Sequence, residues 1–317
     1  MMTAPSPTLL WILNALAISM AVGSVARWIN LRHANPALRH KRLASLRTWW
    51  ILAIVVAAGI LAGRLGVCLL LLVASLVAFR EYATLLGIQD TERPALLAAY
   101  GIAVINYLLI LFGQAAAFVV FIPLGSLAII ALVQLLQGKA QRYIRTTGGI
   151  FWGMMIIYYG MAHAAYLFIH PGFANGPAGP AGWLLYLLIL TEANDIFQAL
   201  VGRSPIAAQQ PHCIAPTLSP KKTWEGFFGG LAATLILALC LAPWLTSLQG
   251  ISGPLLTGLV VAIAGFFGDI NMSGIKRDSG VKDGSNLLPG MGGLIDRIDS
   301  LTFTAPAFVY LLQWWLP

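Results

Sequence analysis

Charge is what this chain has least of. Asp, Glu, Lys and Arg together make up only 9% of its 317 residues, and the acids number eleven. Soluble domains carry about a quarter of such residues, so a sizeable water-exposed domain is excluded. Cysteine is almost as scarce. Cys68, Cys213 and Cys240 are dispersed and offer neither a disulfide framework nor metal-ligand spacing. No internal repeat and no low-complexity linker interrupts the sequence. A basic segment ahead of the first apolar run is also lacking, so Leu9–Ile29 reads as an uncleaved span rather than a signal peptide. The net charge of +8 is accounted for by topology and by anionic lipid headgroups, and nothing in its pattern argues for nucleic acid.

Apolar residues supply what is missing. They fill 59% of the chain, the mean hydropathy is +0.82, and runs long enough for a ~30 Å hydrocarbon core recur along its length. The expected fold is all-α: a polytopic membrane protein with about ten transmembrane helices. The spans read as 8–30, 48–63, 65–80, 95–113, 115–136, 149–170, 183–201, 226–248, 253–270 and 301–316. The second and third are short and separated only by Gly63-Arg64.

Charge tests that count. With the N-terminus outside, the loops 31–47, 80–94, 137–148, 202–225 and 271–300 are cytoplasmic, and every Lys and Arg except Arg64 lies on or beside that side. Such a bias sets orientation. Fusing the two short spans would scatter the charges over both faces, so the bias itself supports a hairpin at Gly63. Outer loops such as Pro171–Gly182 carry no charge, and the chemistry is expected to face the cytoplasm. Composition divides the chain into 1–182, spans joined by basic loops, and 183–317, which carries every motif.

Three segments in that second part are candidates for chemistry. In Thr191–Arg203, Glu192 and Asp195 sit three apart in an apolar span, on one helix face. Carboxylates there mark function or a polar cluster tying helices together. Ser219-Pro-Lys-Lys-Thr-Trp-Glu-Gly226 places Lys221 and Lys222 beside an expected helix start, a natural phosphate site, although paired lysines also serve as plain topological anchors. The third segment, Ser273–Asp299, holds four acids (Asp278, Asp283, Asp296, Asp299) and four bases (Lys276, Arg277, Lys282, Arg297) in 27 residues, preceded by Gly268-Asp269. Its repeated glycines permit close backbone approach to phosphate. Asp296 and Asp299, three apart at the start of the last span, are expected to share a face. Carboxylates without a His or Cys cluster suit Mg²⁺, which binds through one or two carboxylates plus substrate phosphates.

At these residues the chain resembles the phosphatidate cytidylyltransferases, or CDP-diacylglycerol synthases. Their signature runs Ser-x-x-Lys-Arg, four residues, Lys-Asp, Pro-Gly-His-Gly-Gly, one or two apolar residues, and Asp-Arg-x-Asp. It is matched by Ser273, Lys276, Arg277, Lys282, Asp283, Pro289, Gly290, Gly292, Gly293, Asp296, Arg297 and Asp299. Ser219–Gly226 and the Asp195…Gly202-Arg203 element fit the family order. Two departures stand out: Met291 replaces the usual histidine, and Ile-Phe-Gln198 follows Asp195 where many members carry Ser-Gly-Ala.

The resemblance implies condensation of CTP with phosphatidic acid to CDP-diacylglycerol and pyrophosphate, in a bacterial inner membrane with the site on the cytoplasmic side. It implies Mg²⁺ on Asp269 and Asp296, with Asp299, Asp283 and Asp195 as further ligands or supports. Lys276, Arg277 and Arg297 would join them in catalysis. Ser219, Lys221, Lys222, Thr223, Lys282 and Arg203 would bind substrate. CTP, phosphatidic acid and membrane lipids are the expected partners, and the resemblance leaves room for a homodimer. The alternatives are a binding relative without catalysis, a CTP-dependent polyprenol-type kinase, and an ion-coupled transporter.

Overall fold

The computed structural model describes residues 6–32, 35–88, 92–138, 141–204, 212–281 and 284–315. Ten long helices follow one another: α1 (Pro7–Asn30), α2 (Pro36–Leu61), α3 (Gly63–Leu86), α4 (Arg93–Leu111), α5 (Ala115–Leu136), α6 (Tyr143–Ile169), α7 (Gly179–Gly202), α8 (Trp224–Leu245), α9 (Ser252–Asp278) and, after the single turn α10 (Ile295–Ile298), α11 (Leu301–Trp315). Each span read from hydropathy corresponds to one of the ten. Among the described residues nine are long and apolar enough to cross a membrane; α11, at 15 residues, falls short.

Helix ends follow local chemistry. Ser6 caps α1 by accepting from Leu9 N at 3.2 Å, and Asn35 caps α2 by accepting from Ala37 N at 3.0 Å, each followed by proline at the first helical position. The hairpin at Gly63 is present. Gly63 takes φ +72°, and α2 and α3 approach so closely there that a Cβ on Gly66 would lie 2.5 Å from Gly59 O.

Alternating helix directions put the C-terminal ends of α1, α3, α5, α7 and α9 together with the N-terminal ends of α2, α4, α6, α8 and α11. All described bases but Arg64 gather at that end. Arg64 donates to Leu111 O at 3.3 Å, at the opposite end of α4. The core centres on α6, 78% of whose apolar window is buried, whereas 6% of the α1 window is. Trp183, Tyr186 and Phe308 fill the space between α7 and α11. Without water, polar side chains pair across helices: Thr191 with Thr304 at 3.0 Å, Tyr186 with Thr257 at 3.0 Å, and Asn194 Nδ2 to Ala262 O at 3.3 Å. Each such bond contributes about 0.6 kcal/mol on average.

Two expectations need correction. α9 runs to Asp278 rather than ending at 270, so Asp269, Ser273, Lys276 and Arg277 ride on a helix. Lys276 and Arg277 suit its C-terminal turn, and the helix stops only where Gly280 adopts φ +72°. α2 likewise begins at Pro36, turning most of the expected basic loop 31–47 into helix. The all-α reading holds, with one small antiparallel hairpin beside the helices, β1 (Cys213–Ala215) and β2 (Ser219–Thr223). Its strands are too short, and β2 too rich in Pro and Lys, to signal themselves.

Candidate functional site

The site is assembled from the end of α7, strand β2, the last third of α9 and the segment 284–300. Lys222 enters it from β2, which packs against α7 and α8. Successive strand residues face opposite ways, so Lys221 turns out to solvent while Lys222 turns in. Lys222 Nζ lies 2.5 Å from Asp269 Oδ2 and donates to Gln198 Oε1 at 2.9 Å. Asp269, Ser273 and Lys276 follow one face of α9 at spacings of four and three. Lys276 Nζ in turn meets Asp296 Oδ1 at 2.8 Å, and Asp296 Oδ2 accepts from Gly284 N and Gly293 N, both at 3.0 Å.

Between these two pairs lies a concentration of negative charge. Asp195 lies beside Ser300 and within electrostatic reach of Lys222, Asp269 and Arg297, and Glu192 within reach of Asp195 and Arg297. Asp299 is buried; burial first, and then repulsion from Asp269 and Asp195, holds its carboxyl well above the ordinary carboxylate range, with Lys276 opposing. Asp195 Oδ1 and Ser300 Oγ are both buried, and the two side chains lie beside one another without a well-formed hydrogen bond. Asp195, Asp269 and Asp299 come from three elements, and carboxylate oxygens are the donors a hard divalent cation takes. Among the described residues no three His, Cys, Asp or Glu side chains converge into a ready-made metal cage.

The signature loop is shaped by its glycines. Leu288-Pro289-Gly290-Met291 forms a tight turn, with Met291 N donating to Leu288 O at 2.9 Å. Pro289 leads and Gly290 takes φ +76°, the pattern of a type II turn. Gly290 also packs on α2, where a Cβ would stand 2.6 Å from Lys41 O, and Thr48 Oγ1 donates to Pro289 O at 3.0 Å. Met291 ends the turn half-buried.

The remaining sequence candidates fall into several places. Ser219 pairs with Ala215 in the hairpin, and Thr223 caps α8 by accepting from Gly226 N at 3.1 Å. Arg203 is exposed at the end of α7. Arg277, also exposed, donates to Leu218 O at 3.3 Å and so ties α9 to the hairpin turn. Arg297 is exposed yet close enough to act on Glu192 and Asp195. Lys282 and Asp283 lie outside the described residues. Two expected geometries do not form. Lys221 and Lys222 are not a pair acting together at a helix start, because they alternate on a strand. Asp296 and Asp299 do not share one face of the last span: α10 is a separate turn, and it sends Asp296 to Lys276 while Asp299 Oδ1 accepts from Ser300 N at 2.9 Å.

Gln198 and Glu81 belong to the site's surroundings and were not among the candidates. Gln198 had a signal, since it stands three residues after Asp195 on the same face of α7. Glu81, an isolated acid near the end of α3, accepts from Ser285 Oγ at 2.6 Å, Leu294 N at 3.2 Å and Ile295 N at 2.9 Å.

Residues 43–315 match the model of the cytidylyltransferase family. The uncharacterized protein YnbB of Escherichia coli (strain K12) is 41% identical over 269 residues, covering 85% of this chain and 86% of that protein. A phosphatidate cytidylyltransferase of Staphylococcus aureus (strain COL) is 29% identical over 264 residues, 83% of this chain and 96% of its own. One of Haemophilus influenzae is 40% identical over 131 residues, 40% of this chain and 44% of that protein.

Proposed function

Because the chain belongs to the cytidylyltransferase family, we propose that it condenses CTP with phosphatidate at the cytoplasmic face of the cell membrane. A phosphate oxygen of the lipid attacks the α-phosphorus of CTP. The bond from that phosphorus to the bridging oxygen of the β-phosphate breaks, and pyrophosphate leaves with the electron pair. The products are CDP-diacylglycerol and pyrophosphate. No general base is required, since a phosphate monoester with a second pKa of about 6 is mostly dianionic at neutral pH. Catalysis then reduces to positioning and to neutralising charge on an in-line displacement.

The observation that carries this reading is the meeting of Lys222, Asp195, Asp269 and Asp299 at the membrane end where the bases gather. Asp269, Asp195 and Asp299 would hold Mg²⁺, whose chemistry there is to neutralise phosphate oxygens. Lys222 stands against Asp269, so a phosphate arriving at that carboxylate also finds an ammonium. Arg297 acts on Asp195 and Glu192 from the exposed side. Lys276 and Asp296 neutralise each other and tie α9 to the signature loop. Asp296, whose two oxygens accept three donors, is therefore read as holding the loop.

A carrier reading is disfavoured by the same placement, because the charges lie at one end of the bundle rather than at its midplane. The test is direct. The purified protein, with CTP, phosphatidate and Mg²⁺, should release pyrophosphate and form CDP-lipid in equal amounts, and chelation of the metal should stop both. CDP-lipid absent in that mixture would overturn the reading. Phosphorylation of a polyprenol with CTP would replace it by the kinase alternative.

A further inference from the structure

The region before residue 183 reads in sequence as spans and basic loops, yet it supplies the carboxylate that grips the signature loop most fully. Glu81 lies in α3 and is 7% exposed. Its Oε1 accepts from the Ser285 hydroxyl at 2.6 Å and from Leu294 N at 3.2 Å, and its Oε2 accepts from Ile295 N at 2.9 Å. These partners stand 204, 213 and 214 residues further along the chain. The fit is close, because a Cβ on Gly293 would lie 2.7 Å from Glu81 Oε2.

The donors Glu81 takes interleave with those taken by Asp296. Asp296 accepts from the N–H groups of Gly284 and Gly293; Glu81 accepts from Ser285, Leu294 and Ile295. Two carboxylates thus hold the same two stretches of the loop, 284–285 and 293–295. Asp296 is at once one of these two and the partner of Lys276, and Ile295, held by Glu81, is its immediate neighbour. A buried carboxylate with three donors is expensive to leave half-satisfied, which gives the loop one favoured seat on α3.

We propose that Glu81 is a positioning residue for cytidylyl transfer: it seats the loop 284–295 on α3 and thereby aligns Asp296 and Lys276 with the carboxylates of α7 and α9. It touches no substrate and acts through the loop. The kinetic part of this proposal rests on the function proposed above, and the structural part does not.

Glu81→Gln tests it in the full-length protein in lipid nanodiscs. The amide replaces an acceptor with a donor that faces a backbone N–H, so the hold on the loop opens at constant shape. Hydrogen exchange of peptides covering 284–295 should quicken by about tenfold or more, while α4 and α6 keep their protection. Turnover should fall by about tenfold or more with the KM for CTP changed less than about threefold, because alignment rather than binding is lost. Glu81→Asp, which keeps both acceptors on a shorter stem, should recover part of the turnover. Ser285→Ala removes one of the three donors and should move both readouts less, in the same direction. Glu92→Gln serves as a comparison, since Glu92 is likewise a buried carboxylate and accepts from Thr146 of α6; it should leave 284–295 protected. Unchanged exchange at 284–295 in Glu81→Gln overturns the proposal, as does loss of protection spread evenly over the molecule. A loosened loop with undiminished turnover overturns the positioning role. A wild type that forms no CDP-lipid removes the function proposed above, and the exchange result then still decides whether Glu81 seats the loop.

Discussion

Lys222 and Lys221 are neighbours in sequence with opposite surroundings. The first touches Asp269 and Gln198; the second is exposed on the far side of β2. Removing Lys222 leaves Asp269 near Asp195 and Asp299 with no ammonium in contact among the described residues. Lys222→Met is therefore expected to lower kcat/KM by about a hundredfold, roughly 2.7 kcal/mol of barrier, and Lys221→Met by no more than about threefold. Steady-state kinetics with CTP and phosphatidate decides this, and equal losses would refute the division of roles. Met291 poses the complementary question. A thioether neither titrates nor donates a hydrogen bond, and the proposed chemistry needs no base. Met291→His should keep the same products and change the rate by less than about a hundredfold. Robust synthesis by the histidine variant beside an inert wild type would sink the proposed reaction for the natural protein.

At the scale of elements, α9 brings the site together. It carries Asp269, Ser273 and Lys276 on one face, and its Gly268 lets the chain at Asp299 and Ser300 lie directly on the helix. A Cβ at Gly268 would collide with Asp299 O. Gly268→Ala should force that strand outward, costing about 1–3 kcal/mol as overpacking does, and should separate Asp299 from Asp269. Thermal unfolding in detergent and turnover at saturating Mg²⁺ should both fall. Full activity with an unchanged melting temperature would mean that the contact of Asp299 with α9 is not needed. The hairpin acts as a second positioning element. It is fastened by Cys213 Sγ to Pro220 O at 3.2 Å and by Arg277 to Leu218 O, and it fixes which lysine points inward.

At the scale of the molecule, charge sorts the two ends of the bundle. Anionic inner-leaflet headgroups and the positive-inside rule both favour the basic end on the cytoplasmic side. In a background without Cys68, Cys213 and Cys240, Asn175→Cys and Arg203→Cys mark the two ends. A membrane-impermeant maleimide applied to intact cells should label position 175 and spare 203, which should react only after permeabilisation. The reverse pattern would invert the orientation and place CTP on the wrong side for the proposed reaction.

Hydropathy and charge were enough for the spans and their alternation, because the cost of burying polar groups in hydrocarbon acts on each segment separately. The hairpin at Gly63 and the grouping of bases at one end were legible for that reason. The family was legible because the residues from Ser273 to Asp299 are contiguous. Their geometry was not. Whether Asp296 serves metal or loop depends on Lys276 and on two backbone N–H groups, and which lysine enters the site depends on a strand that exists only when paired. Glu81 is the extreme case: nothing local distinguishes it, and its partners lie more than two hundred residues away along the chain. Apolar spacing and helix ends are properties of neighbouring residues and are written in order along the chain. The partner of a buried carboxylate is a property of the packed bundle, and only tertiary structure decides it.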